Sequence, residues 1–170
     1  IRGIKMKTRD LLEEIKENIK DYNIEIFENK ANDEKADQAS KQRAIFHIQN
    51  YNEIMALNID EEDESNIEID DGLINDIKDE LRRFFEGCSP ESDEIFKRFI
   101  TYNCIYLSVI AKRPLHPVGI DMHNGKTVFA EGKDGETVYY CDIKEEQSKI
   151  AKDYYTCQYC VCKPSELKEN

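Results

Sequence analysis

The sequence lacks the glycine-rich nucleotide loops and the serine elbow of hydrolases. It has no Gly-x-Gly-x-x-Gly run and no Walker-type loop, the two turns whose backbone amides hold nucleotide phosphates. It also has no Gly-x-Ser-x-Gly turn, which carries the nucleophile of α/β-hydrolases. These absences remove the case for a nucleotide-binding fold and for a serine hydrolase of that class.

Long apolar runs are missing as well. The longest nearly apolar stretch is CIYLSVIA at 104–111, whereas a helix that spans a bilayer needs about 20 such residues. The first residues, IRGIKMKTRDLLEEI, lack the uninterrupted apolar core and the small-residue cleavage site of a signal peptide. We therefore expect a cytoplasmic protein that does not enter a membrane.

Basic residues are too few for nonspecific binding to nucleic acid. The 170 residues include 24 lysines and arginines against 36 aspartates and glutamates, a formal net charge of −12. Because such binding depends on neutralising phosphates, we expect no nucleic-acid partner. The stretch 60–71 (DEEDESNIEIDD) contains eight acids and no base. It is interpreted as a solvated loop that leads into a helix, or alternatively as a docking strip for a basic protein.

Apolar residues recur at helical spacing through the first two thirds of the chain. They predict a helical domain of about four helices over residues 1–113. Thr8 and Asp71 are the expected caps of the first and third helices, and Gly87 is the expected end of the third. The fourth, before Pro114, is apolar almost all round and is predicted to be the central buried helix. Representative apolar positions of the four helices are Leu11, Leu12, Ile15 and Ile19; Ala44, Ile48, Tyr51 and Ile54; Ile74, Ile77, Leu81 and Phe85; and Phe96, Phe99, Ile105 and Leu107.

The pattern of residues changes after Pro114. The stretch 127–141 (TVFAEGKDGETVYYC) alternates like two short strands joined across Gly-Lys-Asp-Gly, which indicates a β-hairpin. A short helix is expected over 144–155, before the cysteine-rich CQYCVC. The predicted fold is therefore mainly α, with a C-terminal module (114–170) that consists of a β-hairpin and a zinc-ribbon-like metal site packed on the helical domain.

Four of the six cysteines lie within 141–162. Six in this length are too dilute for a disulfide scaffold, and cytoplasmic thiols stay reduced, so close pairs favour metal binding. Cys157 and Cys160 have the Cys-x-x-Cys spacing that delivers two thiolates from one tight turn. Cys141 is the expected third ligand because fifteen residues separate it from Cys157, as between the halves of a zinc ribbon.

Three residues are candidates for the fourth ligand. His116 ranks first because the LHPVG loop around it restrains the backbone. Cys162 ranks second because a Cys-x-Cys step is sterically awkward around one ion, and His123 ranks third. The predicted ligands of the zinc site are His116, Cys141, Cys157 and Cys160. Such a closed tetrahedron stabilises a fold and does not catalyse a reaction.

Other uses of these cysteines stay open at this point. An iron–sulfur cluster would take Cys162 as its fourth thiolate, although the spacing differs from the common ferredoxin runs. A redox Cys-x-x-Cys usually follows a strand in a thioredoxin-like pattern, which this chain lacks. With only three cysteines bound, the open position would activate water, and His116 would serve as acid or base in a metal-dependent enzyme.

Three residues with ligand chemistry outside this region are given structural roles. His47 lies one residue off its helical stripe and is predicted to be a surface or boundary residue. Cys88 and Cys104 are predicted to be small buried hydrophobes.

Lys144 and Gln147 are possible hydrogen-bonding supports for the loop at Cys141.

Several short motifs occur in a fixed order over about 50 residues of the chain. They are LHPVG from Leu115, Gly125, YYC at Tyr139–Cys141, Lys144 with Gln147, and Cys157-x-x-Cys160. Together they resemble an uncharacterised family of small archaeal proteins, mostly from methanogens (domain of unknown function 2115). The resemblance implies an archaeal, cytoplasmic protein of unassigned activity. The family has Phe-Pro-Gly-Gly where this chain has MHNG at 122–125, which supports His116 over His123, and it has proline where this chain has Asp142.

Tyrosines crowd the proposed metal site, and tyrosine is favoured at protein interfaces. They are Tyr139, Tyr140, Tyr154, Tyr155 and Tyr159. A hydrophobic shell around a metal explains them equally well. With a closed ligand set and no catalytic motif, we predict a protein-interaction or assembly factor with a structural zinc site and an unidentified protein partner.

Overall fold

The structure, a computed structural model, describes residues 5–121, 125–150 and 153–168. It is mainly helical, as predicted. The α-helices of the described residues are α1 (Thr8–Ile19), α2 (Glu25–Asn32), α3 (Gln38–Ala56), α4 (Asp71–Cys88), α5 (Glu94–Ile105) and α6 (Asp142–Gln147). The strands are β1 (Lys5–Lys7), β2 (Glu68–Asp70), β3 (Val128–Lys133), β4 (Glu136–Cys141) and β5 (Lys163–Pro164). No helix within these three stretches has the length and apolar character needed to cross a membrane.

One hydrophobic cluster fills the helical body, which is formed by α1 to α5. The predicted stripe of α1 is fully buried at Leu11, Leu12, Ile15 and Ile19. The same cluster takes its α4 and α5 members from Ile74, Ile77, Leu81, Phe99 and Ile105. Burial of each such side chain stabilises the fold by about 1.5–3 kcal/mol relative to exposure. The helical periodicity of the sequence therefore identified the core correctly.

Aspartate side chains cap the starts of three helices. Asp37 accepts a hydrogen bond from the Ser40 amide at 2.9 Å, and Asp93 accepts one from the Phe96 amide at 2.7 Å. Asp70 caps α4, so the predicted cap, Asp71, is one residue late. Each cap satisfies an amide that the helix itself cannot pair.

Thr8 does not cap α1. It is the first residue of the helix, and its hydroxyl donates to the Ile67 carbonyl at 3.1 Å. The reason is a short antiparallel pairing of β1 with β2, in which Met6 lies opposite Ile69. The end of the acidic stretch is therefore a strand, while its acids at 60–64 are exposed as expected.

The predicted fourth helix consists of two elements. α5 is followed without a break by a π-helical segment, Tyr106–Ala111. Lys112 then adopts a left-handed conformation with φ 53°, and the Arg113 amide donates to the Leu107 carbonyl at 3.0 Å. π-Helical turns are rare and often lie at functional sites, because they displace the side chains around them from ordinary helical positions.

The C-terminal region contains the predicted hairpin. β3 and β4 pair antiparallel, with Val128 opposite Cys141, and turn at Asp134 and Gly135, both with positive φ. β5 adds parallel to β4 and brings the end of the chain alongside the hairpin. Of the helix expected over 144–155, the described residues show α6, which begins directly after Cys141 and ends at Gln147. The division of the chain into domains at 113/114 stays a prediction.

Candidate functional site

The ends of β4 and β5 hold a small buried cluster that contains two of the candidate thiols. Cys141 and Cys162 are 5% and 2% exposed and pack with Val128, with Cys160 against them. The parallel pairing of β5 with β4 causes this approach, since it sets Cys141 opposite Pro164. None of the six cysteines forms a disulfide.

Cys160 and Cys162 are in direct contact. A hydrogen bond from the Cys162 thiol lowers the pKa of Cys160 to about 6, against the opposing effect of burial. The same interaction, together with burial, raises the pKa of Cys162. Both pKa shifts, down at Cys160 and up at Cys162, follow because the two adjacent sulfurs share one proton. The Cys-x-Cys step, whose Cys162 ranked second as a ligand from the sequence, therefore brings its two thiols together.

Backbone amides point at the sulfur atoms. The Lys144 amide donates to Sγ of Cys141 at 3.4 Å, because Cys141 occupies the cap position of α6. Amides of Leu115 and Cys162 bond to Cys160 and oppose the effect of its burial. Hydrogen bonds of this kind favour the thiolate form, which is the form that binds metals.

Lys144 connects α6 to the cysteine-rich end of the chain. Its Nζ donates to the Cys160 carbonyl at 2.8 Å. Burial raises the pKa of Cys141, and although the backbone amide of Lys144 lowers that pKa, burial has the larger effect. The lysine therefore positions the backbone that carries the thiols, in agreement with the supporting role expected for it.

Cys157 lies in a one-turn 3-10 helix, Thr156–Tyr159, and the Cys160 amide closes that turn by donating to the Cys157 carbonyl at 3.1 Å. Burial, and then the charges of Cys157, Cys141 and Cys160, raise the pKa of Tyr155. The three predicted thiol ligands therefore share one electrostatic neighbourhood.

Cys104 from α5 belongs to the same neighbourhood. Burial raises its pKa to about 12, and the charges of Cys160 and Cys157 add to that shift. Spacing could not reveal this proximity, because 37 positions and a change of element separate Cys104 from Cys141. Cys88, by contrast, is exposed, so its prediction as a buried residue is wrong.

Within residues 5–121, 125–150 and 153–168, no group of three or more His, Cys, Asp or Glu side chains has an arrangement that could hold a metal ion. The thiols are neighbours, and a cation would have to draw them closer. The metal, and the ligand set with His116, therefore stay predictions. His123 lies outside the described residues.

His116 follows a residue that contacts the thiols, but the His116 ring has other neighbours. The adjacent residue, Leu115, bonds to Cys160 through its amide. Burial and the Arg43 charge lower the pKa of His116, and His116 in turn lowers that of His47. His116 lines a cavity of about 490 Å³ against α3. His47 is partly buried 4.7 Å from Phe27, a boundary position as expected.

α4 holds the segment that precedes Cys157. The buried carboxylate of Glu80 accepts a hydrogen bond from the Tyr155 amide. The Tyr154 ring lies edge-on to Phe84 at 5.4 Å and its hydroxyl contacts Cys88. A Cβ on Gly87 would lie 2.8 Å from Cε1 of Tyr154. The prediction that Gly87 ends α4 is wrong, because the helix continues to Cys88. Gly87 instead allows the tyrosine ring to approach the helix closely.

An acidic cavity of about 420 Å³ lies beside this junction. Its lining includes Asp76, Asp79, Arg83, Asp153, Tyr154 and Tyr159. Three of the five tyrosines predicted around the metal site, Tyr154, Tyr155 and Tyr159, line this cavity, whereas Tyr140 is buried and stacks on Phe129 at 5.4 Å. The tyrosines therefore divide between the hairpin and a surface next to the thiols.

Comparison with known proteins gives a family match over most of the chain. A family model described as "Uncharacterized protein conserved in archaea (DUF2115)" matches residues 7–165. The chain is 34% identical over 126 residues to a UPF0305 protein of Methanocaldococcus jannaschii, covering 71% of this chain and 68% of that protein. It is 29% identical over 93 residues to a UPF0305 protein of Methanothermobacter thermautotrophicus, covering 55% and 53%.

A third relative, a UPF0305 protein of Methanococcus maripaludis strain C5, is 31% identical over 103 residues, covering 61% of this chain and 58% of that protein. The chain thus spans about half to two thirds of the relatives' own lengths. No solved structure matches it.

Proposed function

The chain belongs to the archaeal protein family DUF2115, as its motifs indicated, and we propose that it holds one zinc ion as the structural centre of an interaction or assembly factor. The observation that carries the proposal is the contact of Cys160 with Cys162, which lie just before β5 and pack against Cys141, with Cys157 in the adjacent 3-10 turn. Cys141 and Cys160 also receive backbone N–H bonds, which is typical of thiolates that bind metals.

The proposed ligands are Cys141, Cys157, Cys160 and Cys162. Cys162 replaces His116, the first choice from the sequence, because it contacts Cys160 and packs with Cys141. The His116 ring instead has Arg43 and His47 as electrostatic neighbours. Zinc–sulfur bonds of about 2.3 Å would bring the four sulfurs to about 3.8 Å from one another. A closed set of this kind leaves no position for water, so its role is to stabilise the fold.

Metal analysis of anaerobically purified protein tests the centre. We expect one zinc per chain and a colourless sample. A brown sample with iron and sulfide would replace zinc by an iron–sulfur cluster on the same thiols. A colourless protein that neither retains nor takes up zinc would refute the proposed centre.

Two matched variants test the fourth ligand. Cys162→Ser should lower zinc affinity by at least about a hundredfold, because it removes a direct ligand, whereas His116→Ala should leave the affinity unchanged. A competition titration with a chromogenic chelator measures both. Loss of zinc in His116→Ala with retention in Cys162→Ser would restore the histidine to the ligand set.

The proposed partner is a basic protein segment that binds the acidic cavity beside the thiols. Asp76, Asp79 and Asp153 line this cavity with tyrosines, and Arg83 is the cation among its lining residues. Interfaces favour tyrosine, and opposite charge steers association. The centre would hold the tyrosine-bearing segment against α4, in the form that the partner binds.

Isolation of native complexes from the source organism tests the partner. A stoichiometric basic protein, released by salt, should be lost with the double variant Asp76→Lys, Asp79→Lys. The matched control is Glu61→Lys, Glu62→Lys, which alters the exposed acidic stretch instead. Loss of the complex only in the control would show that the partner binds the acidic stretch instead of the cavity. A monomeric protein in every case would refute the interaction role.

A further inference from the structure

Cys160 and Cys162 are two thiols in direct contact, with only Val161 between them in the chain. Both belong to the small cluster at the ends of β4 and β5. A disulfide can join two cysteines without a shift of the backbone where their side chains already face each other. Because these two sulfurs lie within hydrogen-bonding distance, a disulfide between them requires little movement of the chain.

Several interactions hold Cys160 against its neighbour. Its sulfur accepts hydrogen bonds from the backbone amides of Leu115 and Cys162. Its carbonyl accepts from Nζ of Lys144 at 2.8 Å, and its amide donates to the Cys157 carbonyl at 3.1 Å. The fold therefore fixes the position of this thiol before any reaction. Positioning of this kind makes the attack of one sulfur on the other effectively unimolecular.

The two thiols differ in their exposure to solvent. Cys160 is partly exposed, whereas Cys162 is 2% exposed. An oxidant from solution therefore meets Cys160 first, and Cys162 lies beside it to react with the product. Cysteines that sense oxidants have this arrangement, an accessible thiol next to a second one that resolves its oxidised form.

We propose that Cys160 and Cys162 are a redox switch, which a peroxide closes into a disulfide. Both residues are ligands of the zinc centre proposed above, and zinc binds cysteine as the thiolate. A disulfide contains no thiolate, so oxidation leaves Cys141 and Cys157 as two ligands where four are needed. The loss of zinc rests on the proposed function, whereas the formation of the disulfide does not.

The reaction with hydrogen peroxide balances in two steps. The Cys160 sulfur attacks one peroxide oxygen, so that an S–O bond forms, the O–O bond breaks, and hydroxide leaves with the thiol proton as water. The Cys162 sulfur then attacks the oxidised sulfur, so that the S–S bond forms, the S–O bond breaks, and hydroxide leaves with the second thiol proton as water. Two thiols have lost two electrons, and one peroxide has been reduced to two waters.

Mass spectrometry of the full chain tests the pair. The anaerobically purified protein is treated with equimolar hydrogen peroxide, its free thiols are blocked with N-ethylmaleimide, and it is digested with trypsin. Residues 153–168 form one peptide, because Lys163 precedes a proline. We expect this peptide to lose two hydrogens and to carry the blocking group on Cys157. A disulfide between Cys157 and Cys160, or a peptide with all three thiols blocked, would overturn the proposal.

Zinc released in the same reaction is followed with a chromogenic chelator. We expect one zinc for each disulfide formed, and rebinding after reduction with dithiothreitol. Retention of zinc by protein that carries the disulfide would overturn the switch and leave the metal centre in place on other ligands. Protein that holds no zinc before oxidation and still forms the disulfide would refute the zinc centre and support the redox pair.

Two variants separate the roles of the thiols. Cys162→Ser keeps the accessible thiol and removes its partner, so the sulfenic acid on Cys160 should persist and react with dimedone. The matched control is Cys88→Ser, which removes an exposed thiol outside the cluster and should leave the disulfide unchanged. Absence of the dimedone label from Cys160 in folded Cys162→Ser would overturn the assignment. If that variant fails to fold, the peptide from the unaltered chain still decides the question.

Discussion

The helical body buries eighteen apolar side chains in one cluster among the described residues, whereas the cluster at the ends of β4 and β5 consists of three, two of them cysteines. The helical body can be stable through the burial of its apolar side chains alone. The C-terminal region has too little apolar surface for that and depends on strand pairing, sulfur contacts and its junction with α4. Small units of this kind usually need a metal, a disulfide or a partner, which is why the difference favours a structural role for the thiols.

The largest expected effect comes from the core of the body. Ile15→Ala should lower the free energy of unfolding by about 3 kcal/mol, since the side chain is fully buried and its removal leaves a cavity. Chemical denaturation followed by circular dichroism measures it. Ile26→Ala, at a 55% exposed site, is the control and should cost less than about 0.5 kcal/mol. Equal losses would contradict the description of the core.

Acid should destabilise the body through its partly buried histidine, His47. Burial, then His116 and Arg43, lower the pKa of His47 from 6.5 to about 4. Between these values the unfolded chain binds the proton more readily than the folded one, so stability falls as the pH falls through this window. Allowing for the partial exposure of the ring, we expect a loss of about 2 kcal/mol.

Denaturation midpoints across this pH range, compared with His47→Gln, isolate the histidine from the carboxylates. Glutamine can still accept from Asn103, which contacts His47 at 3.2 Å, but it does not titrate. The variant should show a flatter profile than the unaltered chain. Identical profiles would mean that the ring is not held in its neutral form.

The contact between α4 and the C-terminal segment, made by Glu80 and Tyr155, should contribute less to the free energy of unfolding than the core does. Glu80→Ala leaves the Tyr155 amide without its acceptor, at a cost of about 1–2 kcal/mol. Glu80→Gln keeps an acceptor and should cost less. Hydrogen exchange should show the loss concentrated in 153–168 and little change in α1. A uniform loss over both regions would indicate that they unfold as one unit.

The smallest effect is expected at Gly87. A Cβ there meets the Tyr154 ring at 2.8 Å, while alanine gains up to about 1 kcal/mol of helix propensity. Gly87→Ala should therefore change the global free energy of unfolding by less than about 1 kcal/mol and yet displace the tyrosine. Faster hydrogen exchange near 153–157 would report this. A variant with both properties unchanged would show that the ring contact contributes nothing.

Much of the body was predictable because its signals are local. Helical spacing identified the buried stripe of α1, and the alternation around the Gly-Lys-Asp-Gly turn identified the hairpin. The predicted caps failed at Thr8 and Gly87 for a common reason. Each residue is engaged by a segment distant in the chain, Thr8 by the Ile67 carbonyl and Gly87 by the Tyr154 ring. No local pattern contains that information.

The candidate site was predictable only in part. Cys-x-x-Cys spacing singled out Cys157 and Cys160, but the choice between His116 and Cys162 depended on where the LHPVG loop turns. Cys104 escaped detection because its approach to the thiols depends on the packing of α5. The Asn50 amide, which has no hydrogen-bond partner among the described residues, cannot be recognised in the sequence, where Asn50 is one polar residue among many on α3.

The amino-acid sequence was sufficient to identify the helical character of the first two thirds, the hairpin, the acidic charge and the family of the chain. These depend on periodicity, composition and motif order, which are properties of neighbouring residues. Which side chains meet follows from the tertiary structure: the thiols near β4 and β5, the tyrosines on α4, and the Arg113–Glu53 ion pair beside α3. Contacts between distant segments depend on how whole elements pack, and a linear pattern does not encode that packing residue by residue.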